Sequence, residues 1–383
     1  MKTTIPFHKP YIGKEEERAV KQVLSSGILR GDGPASRNTE NLIRKDLGVK
    51  YAFLTTSCTH ALEIALLSLG LNKGDEVIMP SFTFVSSANA ALIGGATPVF
   101  ADITEDTLNL DPEDVARKIT PRTRAIIPVH YSGVAADMGK LMDLSRSYDI
   151  PVIEDAAQAV DAWYKDRHLG TLGLMGCYSF HDTKNITCGE GGAIVTNDAG
   201  LARQIEIVRE KGTNRTAFLR GEIDRYTWID RGSSYILSDI LASLLEVQWN
   251  KRIKIRQLRE YAWQFYHQAL EPFELNEQLR RPVIPVYAES NYHTYYFVTN
   301  RTKDRDPLLE SFRKAGISAT FHYIPLHSSP FGKTFVRNPN ELPRTDRLSA
   351  SLIRLPLYPA LHQEHPDHAE RAAGVLSSYF QNR

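Results

Sequence analysis

The chain has 383 residues, with 46 Lys+Arg against 45 Asp+Glu for a formal charge of +1. At roughly 150 residues per domain, this length predicts two or three domains. Hydrophobic residues make up 42%, and 24 Gly with 20 Pro fall far short of the roughly 25–30% that marks low-complexity chains, so disorder, collagen and coiled coil are excluded for the whole. The balanced charge also argues against a general nucleic-acid binder, which carries a basic excess.

The opening stretch, MKTTIPFHKP, lacks the apolar centre of a signal peptide, and a cytoplasmic protein is expected. From about residue 50 to 200, short apolar runs alternate with amphipathic ones. YAFLTT, EVIMP, TPVFAD, RAIIPVH and PVIEDA read as strands buried on both faces. THALEIALLSLG, FVSSANAALIGG and MGKLMDLSRSY between them read as helices. That alternation predicts an α/β fold with a mostly parallel central sheet flanked by helices. Val77 to Ala101 carries no charge, but Pro80, Asn89, Gly94, Gly95 and Pro98 interrupt it, so it reads as buried helix and strand rather than a membrane span. Cys58, Cys177 and Cys188 make an odd count without a C-x-x-C pair, which supports neither a disulfide framework nor a metal site.

MGCYSF and GAIVTN are two further apolar segments flanking a polar, Gly-rich stretch from His181 to Gly191. Long helices are predicted over Ala202–Lys211 and Ile236–Leu270. Beyond them, strand patterns (YHTYYFVT, ISATFHYIP) and helical ones (DPLLESFRKAG, HAERAAGVLSSYF) predict a smaller α+β domain. The boundary is placed near residue 250, giving a large domain over 1–249 and a small one over 250–383.

Four features fall around the predicted sheet. Ser57-Cys58-Thr59 follows the strand YAFLTT at the start of a helix; it serves as an ordinary N-cap or as free N–H groups that bind phosphate. Phe84 follows EVIMP and is either core or an aromatic face for a planar ligand. Asp155 ends the strand of PVIEDAAQ, where ligands of open α/β sheets sit; it either caps the next helix or holds a protonated ring nitrogen. Lys184, in SFHDTKNITCGEGG, is an ordinary surface charge by type. Here it lies between two buried strands and before a Gly-rich turn that lets the backbone approach a ligand. Together these residues meet the needs of pyridoxal phosphate: an amine for its aldehyde, an Asp for its pyridine nitrogen, a helix start for its phosphate and an aromatic for its face.

With these residues in order, the sequence resembles the sugar aminotransferases of the DegT/StrS group, within the fold type I pyridoxal phosphate enzymes. The resemblance runs through IPFHKPYIG, LSSGILRGDGP, TTSCTHALEIAL, GDEVIMPSFTFVSSANA, ATPVFADI, PVHYSG, VIEDAAQA, the Lys184 segment and LPLYPAL. It implies that Lys184 is the Schiff-base lysine and moves the substrate proton. Asp155 would partner the pyridine nitrogen, Gln158 pack against the ring and Phe84 stack on it, while Cys58, Thr59 and Ser179 cradle the phosphate. Many members carry an Asn in a G-Y-N motif that reaches the neighbouring subunit's phosphate; here Ser234 stands in that position, in Gly232-Ser233-Ser234-Tyr235. His181, Glu190, Tyr323 and His327 are expected near the sugar or nucleotide, with a core histidine as the other reading of His181. Basic residues between Arg209 and Arg231 read mostly as a solvated face, a few of them as contacts for a diphosphate.

Within the group, REKGTNRTAFLRGEIDRYTWIDRGSSY and FHYIPLHSSP resemble most the enzymes that make dTDP-4-amino-4,6-dideoxygalactose. The implied partners are a nucleotide-linked 4-keto-6-deoxy sugar, L-glutamate as donor and a second copy of the chain in a homodimer. The gluco epimer, a GDP-sugar, or a pyridoxal phosphate-binding regulator without turnover stay open as alternatives. Relatives with His in place of the lysine act as dehydratases, so Lys184 favours transamination.

Overall fold

The structure is a computed structural model and describes residues 4–336 and 341–382. Seven strands form the main sheet: β1 (Tyr51–Thr55), β2 (Glu76–Pro80), β3 (Thr97–Ala101), β4 (Thr123–Ile126), β5 (Ile153–Asp155) and, beyond a small hairpin of β6 (Trp163–Tyr164) and β7 (Arg167–His168), β8 (Met175–Ser179) and β9 (Gly192–Thr196). The two groups β3-β2-β4 and β5-β8-β9-β1 join through parallel bridges Ile126–Val152 and Val129–Asp155. The β2–β3, β2–β4 and β5–β8 pairs are parallel, as expected, and β9 runs antiparallel to both its neighbours.

The strands read as continuous apolar runs because helices cover both faces. Helices α1 (Lys14–Ser26), α2 (Pro34–Leu47), α3 (Cys58–Ser68), α4 (Val85–Gly94), α5 (Pro112–Lys118), α6 (Met138–Tyr148), α7 (Ala199–Arg209) and α8 (Arg215–Leu219) supply those layers and their connections. Ile78, Ile126, Val152, Ala193 and Val195 belong to one apolar cluster, Val77, Met79, Ile153, Cys177 and Ile194 to another. That split follows the period-2 alternation of side chains across a strand.

Helix α9 (Asp239–Ala269) has 31 residues, about 46 Å at 1.5 Å per residue. Its Ala242, Leu245, Trp249 and Ile255 pack in the first cluster. Ala262, Trp263 and Tyr266 pack in a separate C-terminal cluster with Tyr295, Phe297, Phe312 and Leu355. A three-stranded antiparallel sheet backs that second cluster: β10 (Leu279–Arg280), β12 (Tyr295–Thr299) and β13 (Leu352–Leu355), with β11 (Ala288–Glu289) pairing instead with β6. Ile5, placed in the large domain by its position in sequence, packs in the C-terminal cluster and bridges Ile317. ISATFHYIP, expected as a strand, forms single bridges at Ile317 and Thr320 only. It pairs with Ile5 at one residue and Arg354 at another, so no ladder extends, and Thr320–Tyr323 instead become a wall of the cavity described next.

Candidate active site

The carboxyl ends of β1, β5 and β8 lie along one edge of the sheet. There Gly192, the first residue of antiparallel β9, is paired with both Thr55 and Ser179. A cavity of about 550 Å³ opens at this edge. Of the residues singled out in sequence, Cys58, Thr59, Phe84, Asp155, Gln158, Ser179, His181, Lys184, Glu190 and Tyr323 all line it.

The start of α3 forms one end. Ser57 is its N-cap, accepting from the His60 N–H at 3.1 Å, so the cap reading is correct for Ser57. The N–H groups of Cys58 and Thr59 find no acceptor among the described residues, and helix starts leave such donors free for an anion. Gly192 lies against this turn: a Cβ there would sit 2.4 Å from the Ser57 carbonyl carbon and 2.5 Å from the Cys58 nitrogen.

Asp155 is 5% exposed and accepts from Ser87 Oγ at 2.9 Å and from the Ala157 N–H at 3.1 Å. Burial pushes its carboxyl above the ordinary range, the two hydrogen bonds opposing. A carboxylate so placed is completed by a cationic N–H ligand. Lys184 sits in the connection between β8 and β9. Its backbone N–H bonds His181 O at 2.9 Å and its Nζ has no hydrogen-bond partner among the described residues. Burial lowers its basicity, with Cys58 and Asp155 acting the other way. Phe84 is 57% exposed, an aromatic face open to the cavity. Burial pushes the Cys58 thiol well up, so it acts as a neutral wall.

Gln158 accepts from the Ser132 N–H at 2.7 Å and donates to the Tyr323 hydroxyl at 3.1 Å, so Tyr323 serves to orient it. His181 bonds Thr183 Oγ1 at 3.0 Å and approaches exposed Glu190 at 3.5 Å; it is a cavity residue and not the core histidine of the other reading. His327 is a different case. It is buried outside the cavity, bonded to Ser81 Oγ at 2.7 Å and 3.2 Å from Asp346, where it ties its loop to the end of β2. Ser234 is exposed and bridges Glu210, away from this chain's own cavity. Of the basic residues between Arg209 and Arg231, Arg209 is buried against Asp32 and Glu40, while Lys211 and Arg215 pair with Glu210 and Arg220 with Glu206 and Glu222.

Sequence reasoning did not single out the opposite wall, made by His8, Arg259, His293, His322 and Arg354. His293 Nδ1 bonds Asn185 Oδ1 at 2.8 Å, and Asn185 Nδ2 donates to Asn291 O at 2.8 Å, anchoring the residue next to Lys184 to the C-terminal part. Burial holds His293 and His322 well below the usual histidine range, so both are neutral. Only tertiary contact brings these residues to the site; no local motif marks them.

Comparison with known proteins identifies the family and the fold. An uncharacterized protein of Methanocaldococcus jannaschii is 37% identical over 364 residues, spanning 93% of each chain. Helicobacter pylori PseC, an aminotransferase involved in pseudoaminic acid biosynthesis, superposes with a TM-score of 0.91 at 27% identity over the whole of both chains. The PLP-form of Streptococcus pneumoniae Spr1654 superposes at 0.89 and 25% identity, covering 98% of this chain and 99% of that one. From residue 10 to residue 371 the sequence matches the DegT/DnrJ/EryC1/StrS aminotransferase family, to which the chain belongs.

Proposed function

We propose that the chain transfers an amino group from L-glutamate to C4 of dTDP-4-keto-6-deoxy-D-glucose, giving dTDP-4-amino-4,6-dideoxy-D-galactose. The coenzyme of this family is pyridoxal phosphate. The observation that carries the reading is one cavity holding an amine without a hydrogen-bond partner among the described residues, a buried carboxylate without a cation and two free helix-start N–H groups. Those three features fit the aldehyde, ring nitrogen and phosphate of that coenzyme.

The Cys58 and Thr59 N–H groups, with Ser179, would hold the phosphate. Asp155, fixed by Ser87 and Ala157, would keep the ring nitrogen protonated, and Phe84 and Gln158 would lie against the ring. When bound, the coenzyme supplies an aldehyde that carries nitrogen and a ring that stores an electron pair. Lys184 does the proton work. Its amine, less basic than a free lysine, would take the proton from the donor carbon at Nζ in the first half-reaction and deliver one to the sugar carbon in the second.

Ser234 belongs to a surface segment with exposed Leu219, Tyr226, Trp228 and Ile229, which supports its packing on a second copy and completing that copy's phosphate site. A few basic residues of the same stretch without an ion pair among the described residues, Arg225 and Arg231, are available for the nucleotide diphosphate. The test is to supply purified protein with glutamate and a panel of nucleotide-linked keto-sugars and to read the product by NMR. Axial C4 nitrogen on a dTDP-linked sugar is expected; a gluco product, or preference for a GDP-sugar, would contradict the substrate assignment.

A further inference from the structure

One imidazole in the cavity wall has its proton fixed away from the cavity. Asn185 Nδ2 donates to the Asn291 carbonyl at 2.8 Å, and a carbonyl only accepts, so the amide oxygen of Asn185 faces the other way. That oxygen meets His293 Nδ1 at 2.8 Å, which places the His293 proton on Nδ1. Asn291 is held in turn, its Nδ2 donating to the carbonyls of Gln158 at 2.8 Å and Val160 at 2.7 Å. His293 is 7% exposed, and burial keeps it neutral. Its Nε2 is therefore a bare acceptor in the cavity wall, without a partner among the described residues. Two other imidazoles of the wall differ. His181 Nδ1 accepts from the Thr183 N–H at 3.2 Å. His322 Nδ1 lies 3.1 Å from the Tyr131 hydroxyl, whose proton has no other acceptor among the described residues. Both carry their proton on Nε2. A buried acceptor left without a donor is costly, so a ligand is expected to bring the donor.

We infer that His293 Nε2 accepts a hydrogen bond from the C3 hydroxyl of the sugar and so selects substrates that carry it. The inference rests on the keto-sugar reading above and names the part of that sugar the wall recognises. A bare lone pair repels carboxylate and phosphate oxygens, so neither the carboxylates of glutamate nor a diphosphate fits it. The one donor group of glutamate is the nitrogen that is transferred. A sugar hydroxyl remains. Asn185 directly follows Lys184 and its side chain holds His293, so the acceptor stands beside the residue that moves the proton at the reacting carbon. The carbons flanking C4 are C3, with a hydroxyl, and C5, with a methyl and the ring oxygen. The hydroxyl nearest the reaction is therefore the one on C3. An acceptor there also orients the sugar, turning its C3 edge toward the Lys184 side of the cavity.

The test uses holoenzymes of the wild type, His293→Asn and His293→Gln with two sugars that cannot be aminated. One is a nucleotide-linked 6-deoxyglucose, with a hydroxyl at C4 in place of the ketone. The other is its 3-deoxy counterpart. Calorimetric titration with each measures binding without turnover. We expect the wild type to bind the 3-hydroxylated sugar roughly 10- to 100-fold more tightly. His293→Asn keeps a donor for Asn185 but loses the Nε2 acceptor, and should reduce that preference to under about 3-fold. His293→Gln, with an amide oxygen near the place of Nε2, should retain more of the preference than His293→Asn. Equal binding of the two sugars by the wild type, which depends on no variant folding, would overturn the assignment. So would a full preference kept in His293→Asn, or an equal loss for both sugars. Rapid mixing of the wild type with L-glutamate reads the aminotransferase reaction separately. Unchanged glutamate would contradict that reading, and the binding ratio would still decide the hydroxyl contact.

Discussion

Glu154 and Asp155 are neighbours with different work. Successive side chains on a strand point to opposite faces, so one faces the cavity and the other the interior. Glu154 is fully buried and accepts from the N–H groups of Gly170 at 2.7 Å, Leu172 at 2.6 Å and Gly173 at 2.6 Å, and from His130 Nε2 at 2.9 Å. The Ala136 N–H donates to His130 Nδ1, which leaves the proton on Nε2 and makes His130 the donor. Glu154→Gln turns an N–H toward these donors and should cost about 2–3 kcal/mol of stability, read by denaturant unfolding. Asp155→Asn should leave stability nearly unchanged yet cut turnover roughly 100-fold or more. The sequence EDAAQ announced two carboxylates at a strand end, and the period-2 rule separates them only once the sheet is assembled. Lys184 makes a pH prediction at the same scale. Burial lowers its pKa from the ordinary 10.5, so its amine is neutral and reactive at lower pH than a free lysine. Coenzyme capture by the apoprotein should rise with pH around a midpoint below 10.5; a midpoint at or above that of free lysine would contradict it.

Among the elements, the turn that opens α3 depends on β9. Gly192 sits where any side chain would meet the backbone of Ser57 and Cys58. Backbone cannot swing aside as a flexible side chain can, so Gly192→Ala displaces the start of α3. We expect a loss of about 1–3 kcal/mol in thermal unfolding together with weaker coenzyme binding; unchanged affinity would show that the α3 start does not hold the phosphate. Much at this scale was legible. The apolar runs and their intervening amphipathic stretches gave β1 to β5, β8, β9 and the helices α3, α4, α6 and α7, because burial on both faces leaves a continuous signal, while short α5 and the β6–β7 hairpin were not marked. The reversed direction of β9 was not legible, since a buried antiparallel strand has the same composition as a parallel one. ISATFHYIP misled for a related reason: its alternation is real, but extended backbone needs a continuous neighbour to become a ladder.

For the whole molecule, the cavity is built from both ends of the chain. The coenzyme-facing residues come from segments before residue 200, each marked by a strand end or a helix start. Arg259, His293, His322 and Arg354 come from α9 and beyond and carry no local signal. We propose a division between a large part, 1–249, and a small part, 250–383, along α9, whose packing passes from one cluster at Ile255 to the other at Ala262, several residues beyond 250. Trp228 is 78% exposed beside Leu219 and Ile229, a large apolar cost unless a partner covers it. Ultracentrifugation should therefore find a species of twice the 43.2 kDa chain, and Trp228→Glu should shift it toward monomer with loss of turnover. An active monomer would refute the shared site.

The most direct measurement of the central claim is borohydride reduction of the coenzyme-loaded protein followed by peptide mapping. Label on the single peptide containing Lys184, with visible absorbance abolished beforehand in Lys184→Ala, is the expected result. Label on a different lysine, or a Lys184→Ala protein that keeps both colour and turnover, would contradict it.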